Sequence, residues 1–366
     1  MMSCIIINLM SCVIIKGMGL HDASEQGVTM KAVVQNALGE PADVLKPMDI
    51  EDYNELGPGE ALVDVKLAPV HYGDLQMIRT QPDIPEDVGY VRRGSEAVGI
   101  VRALGSKAEN QGNLQIGDRV IGFPAAGSWA KSVVIPAVAA IPVPRNLSDE
   151  IAAQLMINYV TARMILRGLR KSAREEVLRD GVVLVTGAGS VVARLLLHLL
   201  AKEGLAPIGL SRSKASATRG MAELNGAQIA ASEDADWQAQ VTSLARGRKI
   251  VGVLDCVSGS LVREYASLLS DDAAIVTYGA LGGTSLGIGA PEIVGRQFII
   301  RGVVFTRWFS ELSREDQAKD IRSAFDLASE MPSLFKTGGV FGLAEVQEAI
   351  AAVEAPNRDG FIFFRP

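Results

Sequence analysis

The stretch "DGVVLVTGAGSVVARLLLHLLAKEG", Asp180–Gly204, decides how the rest of the chain reads. An apolar run ends at Thr186, glycines follow at Gly187 and Gly189, and an apolar helical stretch begins at once. Strand, glycine turn and helix in that order form a dinucleotide-binding loop. Its first glycine permits the tight turn, its second lets the backbone approach a pyrophosphate, and its third lets helix and strand pack closely. The pattern G-x-G-x-x-G puts Val192 in the third place. Only the packing position is filled, so the sequence predicts a wider helix–strand spacing with anion binding retained at the helix N-terminus. Gly187, Gly189, Ser190 and Val191 are the expected pyrophosphate contacts.

Beyond this loop, the runs "APIGLS", "AQIAA", "IVGVLDCV", "AAIVTYGA" and "FIIRGVVF" alternate with helical stretches. Such alternation implies βαβ units and a parallel sheet covered on both faces, and the runs are apolar on both parities as doubly buried strands require. At the end of the second strand an NAD site places an acid, about 20 residues past the loop, to hold the ribose 2′-hydroxyl. Here "IGLSRSK" offers Ser211, Arg212, Ser213 and Lys214. Hydroxyls and a guanidinium suit a 2′-phosphate, so NADPH is the expected cofactor. The rival reading makes Arg212 and Lys214 a solvated loop. Tyr278 and Gly279 end a later strand at its carboxyl edge, where ligands bind in such sheets, and are expected near the nicotinamide. A short-chain reductase is excluded: none of the six tyrosines is followed by lysine in a Tyr-x-x-x-Lys pair.

The region before the loop has another rhythm. From Met30 to Pro144, short apolar runs are punctuated by Gly and Pro, which reads as an irregular β-rich barrel or sandwich. "YGDLQMIR" has helical spacing, with Asp74 as a helix cap rather than a chemical group. The stretch "LSDEIAAQLMINYVTARMILRGL" reads as one long helix capped by Ser148. The tail reads as a helix and a final strand that return to the first domain. A chain of 366 residues is long for one core, and the expected division is 1–29 as an N-terminal extension, 30–150 as the β-rich domain, 151–305 as the cofactor domain and 306–366 as the return. The net charge of -6 argues against nucleic acid as the main partner. Three cysteines without metal-ligand spacing suggest a reducing compartment, read as cytoplasmic. The apolar run Ile5–Ile15 has no cationic residues before it and is too short to span a bilayer, so no membrane partner is expected.

With these residues in place the chain resembles the medium-chain dehydrogenase/reductases. "GSEAVGIVRALGS" is similar to their G-x-E-x-x-G-x-V turn, and "IGDRVIGFPAAGSWAKSVVIP" resembles their G-D-R-V … G-x-W-A element. "INYVTARMIL", "VTYGALGG" and "RGVVFTRWF" resemble further segments, so the likeness runs over nearly everything from Met30 onward. It is nearest to the zinc-free quinone oxidoreductases and 2-enoyl thioester reductases. The resemblance implies an α/β chain with a GroES-like β-rich catalytic domain and a Rossmann cofactor domain built on a doubly wound parallel sheet. It also implies that Thr161 lies near the cofactor, with a plain buried helical threonine as the rival, and that "FIIRGVVF" pairs across a homodimer; Trp308 and Phe309 are read either as a wall of the acceptor pocket or as interface core. A catalytic zinc needs three protein ligands. "VHYGDLQ" has no Cys and Ser95 stands where zinc members carry His, so no metal is expected.

Three departures stand out: His71 in place of the reductases' Asn, no Tyr near Pro82, and Phe361 after Gly360 where the family often has Lys. A histidine side chain is a ready proton-transfer group, so His71 is a candidate for stabilising an enolate or orienting the cofactor ribose, and Tyr72 is a candidate donor; packing roles are the rival for both. His198, in "LLLHLL", reads as a core histidine. The expected function is NADPH-dependent reduction of a small electrophilic acceptor, an activated C=C or a quinone. The alternative is a non-catalytic cofactor-binding or interaction protein that keeps the fold.

Overall fold

The computed structural model describes residues 28–80, 84–109, 113–224, 226–356 and 358–366. Nearly all of the expected extension 1–29, and Pro82, lie outside them. The chain divides into two compact units, one holding the described residues up to Gln154 together with Thr337–Pro366, the other Leu155–Lys336.

In the first unit, β1 (Thr29–Gln35) lies between β2 (Leu45–Glu51) and β4 (Val91–Arg92). The larger sheet takes β3 (Glu60–Pro69), β5 (Ala97–Leu104), β6 (Arg119–Gly122), β7 (Ser132–Pro136) and β8 (Ala140–Pro142). After the second unit's strands β9 to β14, β15 (Thr337–Gly342) and β16 (Phe361–Arg365) join it in the order β15-β16-β3-β5-β6-β8, with β7 on β3. The run "FIFF" in β16 is buried at every position, as a strand with neighbours on both edges requires. Phe364 meets Trp129 edge-on, ring centroids 5.3 Å apart, in the centre of this core. The Tyr72–Thr80 helix buries Leu75 and Ile78, the pair whose spacing marked it.

In the second unit, β9 (Val182–Thr186), β10 (Pro207–Ser211), β11 (Ile229–Ala231), β12 (Ile250–Asp255), β13 (Leu269–Thr277) and β14 (Ile299–Gly302) are all parallel. Their order is β11-β10-β9-β12-β13-β14, so the chain moves outward from β9 in one direction and then from β12 in the other. This is the doubly wound arrangement, with its switch point between β9 and β12. Every residue of β9 and β12 is buried.

Two boundaries differ from the sequence reading. The long helix expected from Ser148 onward is broken at Gln154, whose backbone leaves helical geometry and whose side-chain amide donates to Glu150 O at 3.0 Å. Ser148 does cap the first piece, accepting from Ile151 N at 3.3 Å. The return to the first unit begins at Thr337 rather than 306. The Arg314–Glu330 helix stays behind because buried Asp320 accepts ion pairs from Arg163 and Arg167 and a hydrogen bond from Trp308 Nε1. That bond makes Trp308 a buried member of this unit's core.

Candidate functional site

The β9–helix turn is built as its glycines require. Gly187 has φ of 63°, and a Cβ there would run into Cys256 Sγ at the end of β12. Gly189 is exposed, and a Cβ on it would lie 2.6 Å from Ser216 Oγ. Ser190 is the N-cap of the Val191–Lys202 helix, accepting from Ala193 N at 3.2 Å. The first N–H groups of that helix have no intrahelical acceptor by construction, so the turn keeps the means of holding an anion.

Val192 is half-buried, whereas its neighbours Ala188, Val191 and Ala193 are buried. Close approach is supplied by Gly209 on β10: a Cβ there would lie 3.0 Å from Ala188 Cβ and 3.2 Å from Leu197 Cδ1. The packing glycine has moved from helix to strand, a device that a fixed-spacing motif does not register.

Beneath the turn lies a buried polar cluster. Asp255, fully buried at the end of β12, accepts from Thr186 Oγ1 at 2.7 Å, Val257 N at 3.1 Å and Ser258 N at 3.0 Å. Thr186 Oγ1 also accepts from Cys256 N at 3.1 Å. Burial, with Asp255 nearby, pushes the Cys256 thiol up to about 12. Tyr278 sits on the other side of that thiol. Its hydroxyl oxygen is buried without a hydrogen bond, and burial beside Cys256 holds its pKa well above the usual phenol range. The Tyr278 hydroxyl is thus directed into the buried cluster, while the residue as a whole is half-buried at the carboxyl edge of β13. Gly279 is locked on β12, since a Cβ would lie 2.8 Å from Cys256 O, and its carbonyl accepts from Ser258 Oγ at 2.9 Å. An acid ending an apolar strand, "VLDCV", was the signal available for Asp255.

At the end of β10 the four candidates separate. Ser211 is buried and donates to Ser213 O at 3.0 Å, and Ser213 caps the Lys214–Glu223 helix. Lys214 Nζ pairs with Asp234 at 2.8 Å, which raises its pKa, and its backbone N–H donates to Glu233. Arg212 is exposed, with no side-chain partner among the described residues. It is the one candidate here whose charge is at the disposal of a ligand. Thr161 is half-buried on the Leu155–Arg170 helix.

In the first unit, His71 is buried with Nε2 3.1 Å from the Glu96 carboxylate and its ring edge-on to Phe361 at 5.0 Å. Asp74 accepts from the His71 backbone N–H at 3.1 Å and from Ser95 Oγ at 2.5 Å, so it closes the start of the Tyr72–Thr80 helix as expected. Burial raises the Asp74 pKa, against the lowering influence of His71, Ser95 and Arg93. Glu96 is wholly buried in the G-x-E turn and was not singled out from sequence. The turn itself depends on Gly94, at φ 104°, where a Cβ would lie 2.5 Å from Ser128 Oγ. Tyr72 is half-buried, and its hydroxyl has no partner among the described residues.

The alcohol dehydrogenase GroES-like domain matches residues 57–145. The mitochondrial enoyl-[acyl-carrier-protein] reductase of Dictyostelium discoideum is 25% identical over 311 residues, covering 82% of this chain and 84% of that one. The human enzyme of the same name is 25% identical over 309 residues, covering 82% and 79%. Escherichia coli quinone oxidoreductase, solved with NADPH, superposes with a TM-score of 0.76 at 20% identity, covering 92% of this chain and all of that one.

Proposed function

We propose that the chain is a medium-chain dehydrogenase/reductase of the zinc-free quinone oxidoreductase and enoyl reductase branch, and that it is an NADPH-dependent reductase of activated C=C bonds or quinones. The observation that carries the cofactor reading is the glycine turn: Gly187 at positive φ against Cys256, with Ser190 capping the helix behind it. NADPH, when bound, supplies the hydride. Gly187, Gly189 and Val191 hold its pyrophosphate through backbone N–H groups, Ser190 shapes the turn by donating its own N–H to Gly187 O at 2.9 Å, and Arg212 holds the 2′-phosphate with a guanidinium fork. Ser211 and Lys214 are occupied within the protein and act on that phosphate only through position and field.

Reduction of an activated C=C puts negative charge on the conjugated oxygen and requires a proton. Tyr72, whose hydroxyl has no partner among the described residues, is the donor we assign, and the buried His71–Glu96 pair can hold and replace that proton.

The test is a thermal-shift titration with NADPH and NADH in parallel. A ligand at about 100 times its Kd stabilises by roughly 2.7 kcal/mol, an easily read shift. A shift with NADPH alone is expected, and Arg212→Asp should weaken NADPH by about 1.5–3 kcal/mol while leaving NADH unchanged. An unchanged preference in that variant overturns the 2′-phosphate assignment. No shift with either nucleotide would favour a scaffold that keeps the fold without the chemistry.

A further inference from the structure

The second unit carries another concavity at the opposite end of its sheet. The glycine turn and Arg212 follow the carboxyl ends of β9 and β10, whereas this cleft opens where β10 begins, at Pro207. At about 3.3 Å per residue, the length of β10 puts roughly 13 Å between them. The cleft has a volume of about 400 Å³ and is lined by Leu197 and His198 of the Val191–Lys202 helix, by Pro207 and Leu244, and by Arg246 and Arg248.

Three features of this cleft are unusual together. No acid lines it. Arg246 and Arg248 are both exposed, and neither has a carboxylate partner among the described residues; Arg248 Nε reaches only Ala245 O, at 3.5 Å. Positive φ at Arg246 and Gly247 turns the chain sharply here, so both guanidiniums leave the same turn. Finally, His198 Nε2 is buried without a hydrogen bond. His198 is thus half-buried on the cleft wall rather than a core residue. Burial and then Lys202 lower its pKa, with Glu330 opposing, so it is neutral at pH 7 and keeps one donor and one acceptor. Lys202 and Glu330 satisfy each other at 3.1 Å and leave the arginines' charge uncompensated.

An apolar floor, two unpaired guanidiniums and an orphaned imidazole nitrogen describe the complement of an amphiphilic anion. We propose that this cleft binds a small organic phosphate, its phosphate on Arg246 and Arg248 and its apolar body over Leu197, Pro207 and Leu244 beside His198. Two guanidinium forks suit phosphate better than carboxylate, because the dianion offers three acceptor oxygens in a tetrahedral array. The site is separate from the cofactor loop.

The test is calorimetric titration of the full chain with phenyl phosphate, with inorganic phosphate and benzoate alongside. Phenyl phosphate should bind more tightly than either. The Arg246→Glu/Arg248→Glu variant should lose about tenfold or more in affinity, with unchanged thermal unfolding, and His198→Ala a smaller factor. Arg212→Asp should bind phenyl phosphate as the wild type does, which keeps this site distinct from the cofactor reading. Three results each overturn the proposal: no binding by the wild type, equal binding by the double arginine variant, or loss of binding in Arg212→Asp.

Discussion

Gly187 shows how much can hang on one missing methyl group. A side chain there must adopt φ of 63° and also displace Cys256 Sγ, which is itself held at the end of a central strand. The left-handed conformation costs about 1–2 kcal/mol and overpacking about 1–3, so Gly187→Ala should be about 2–5 kcal/mol less stable to urea. Cys256 has the converse character. With its thiol pushed up to about 12 and buried, it should remain unlabelled by iodoacetamide at pH 8, read by peptide mass spectrometry of the native protein. Labelling at that site would show that the turn opens in solution. At this scale the sequence revealed the glycines but not their partners. Gly187 was legible because only glycine takes that turn cheaply, whereas Cys256 and Asp255 become its neighbours only when β9 and β12 pair. The same limit hid Glu96, whose partner His71 is distant in sequence.

Among the elements, the Tyr72–Thr80 helix carries the clearest dependence on pH. Asp74 closes its first turn while buried, and its raised pKa means that the folded protein keeps this proton to higher pH than the unfolded chain does. Stability from this group is therefore full at acid pH and falls as pH rises from the ordinary carboxylate range through the raised value. Asp74→Asn should flatten that slope, measured by urea unfolding at several pH values between about 4 and 7. An unchanged slope would place the titration elsewhere. The strands of the second unit were legible as elements because their buried runs are apolar on both parities. The break at Gln154 was not, since its cause is a side-chain amide that captures a carbonyl of its own turn, on a background of uninterrupted helical spacing. The glycine motif counts residues along one helix, and so does not register the close approach that Gly209 allows from the neighbouring strand.

For the whole molecule, the notable surface belongs to β14, the last strand of the parallel sheet, paired on one side only. Around it Val294, Ile299 and Val304 are 73%, 42% and 47% exposed. An apolar edge with free backbone groups is a template for another strand, and a second copy of this chain is the partner that fits the proposed homodimer. Ile299→Lys should shift the protein towards monomer in sedimentation equilibrium, with the cofactor-induced thermal shift retained. A monomeric wild type would remove the idea. No helix among the described residues is long and apolar enough to cross a membrane.

The position of β16 has a bearing on how the protein is made. This strand lies between β15 and β3, yet it is translated after the whole of the second unit. While the ribosome works through Leu155–Lys336, the nascent first unit must wait with β3 unpaired along the edge that Phe363 and Phe364 will fill. The parallel sheet can close in the meantime, because all of its strands are contiguous in the chain. Synthesis thus lets the second unit close first, while the unit bearing His71 and Tyr72 keeps an open edge on β3 until its final strand emerges.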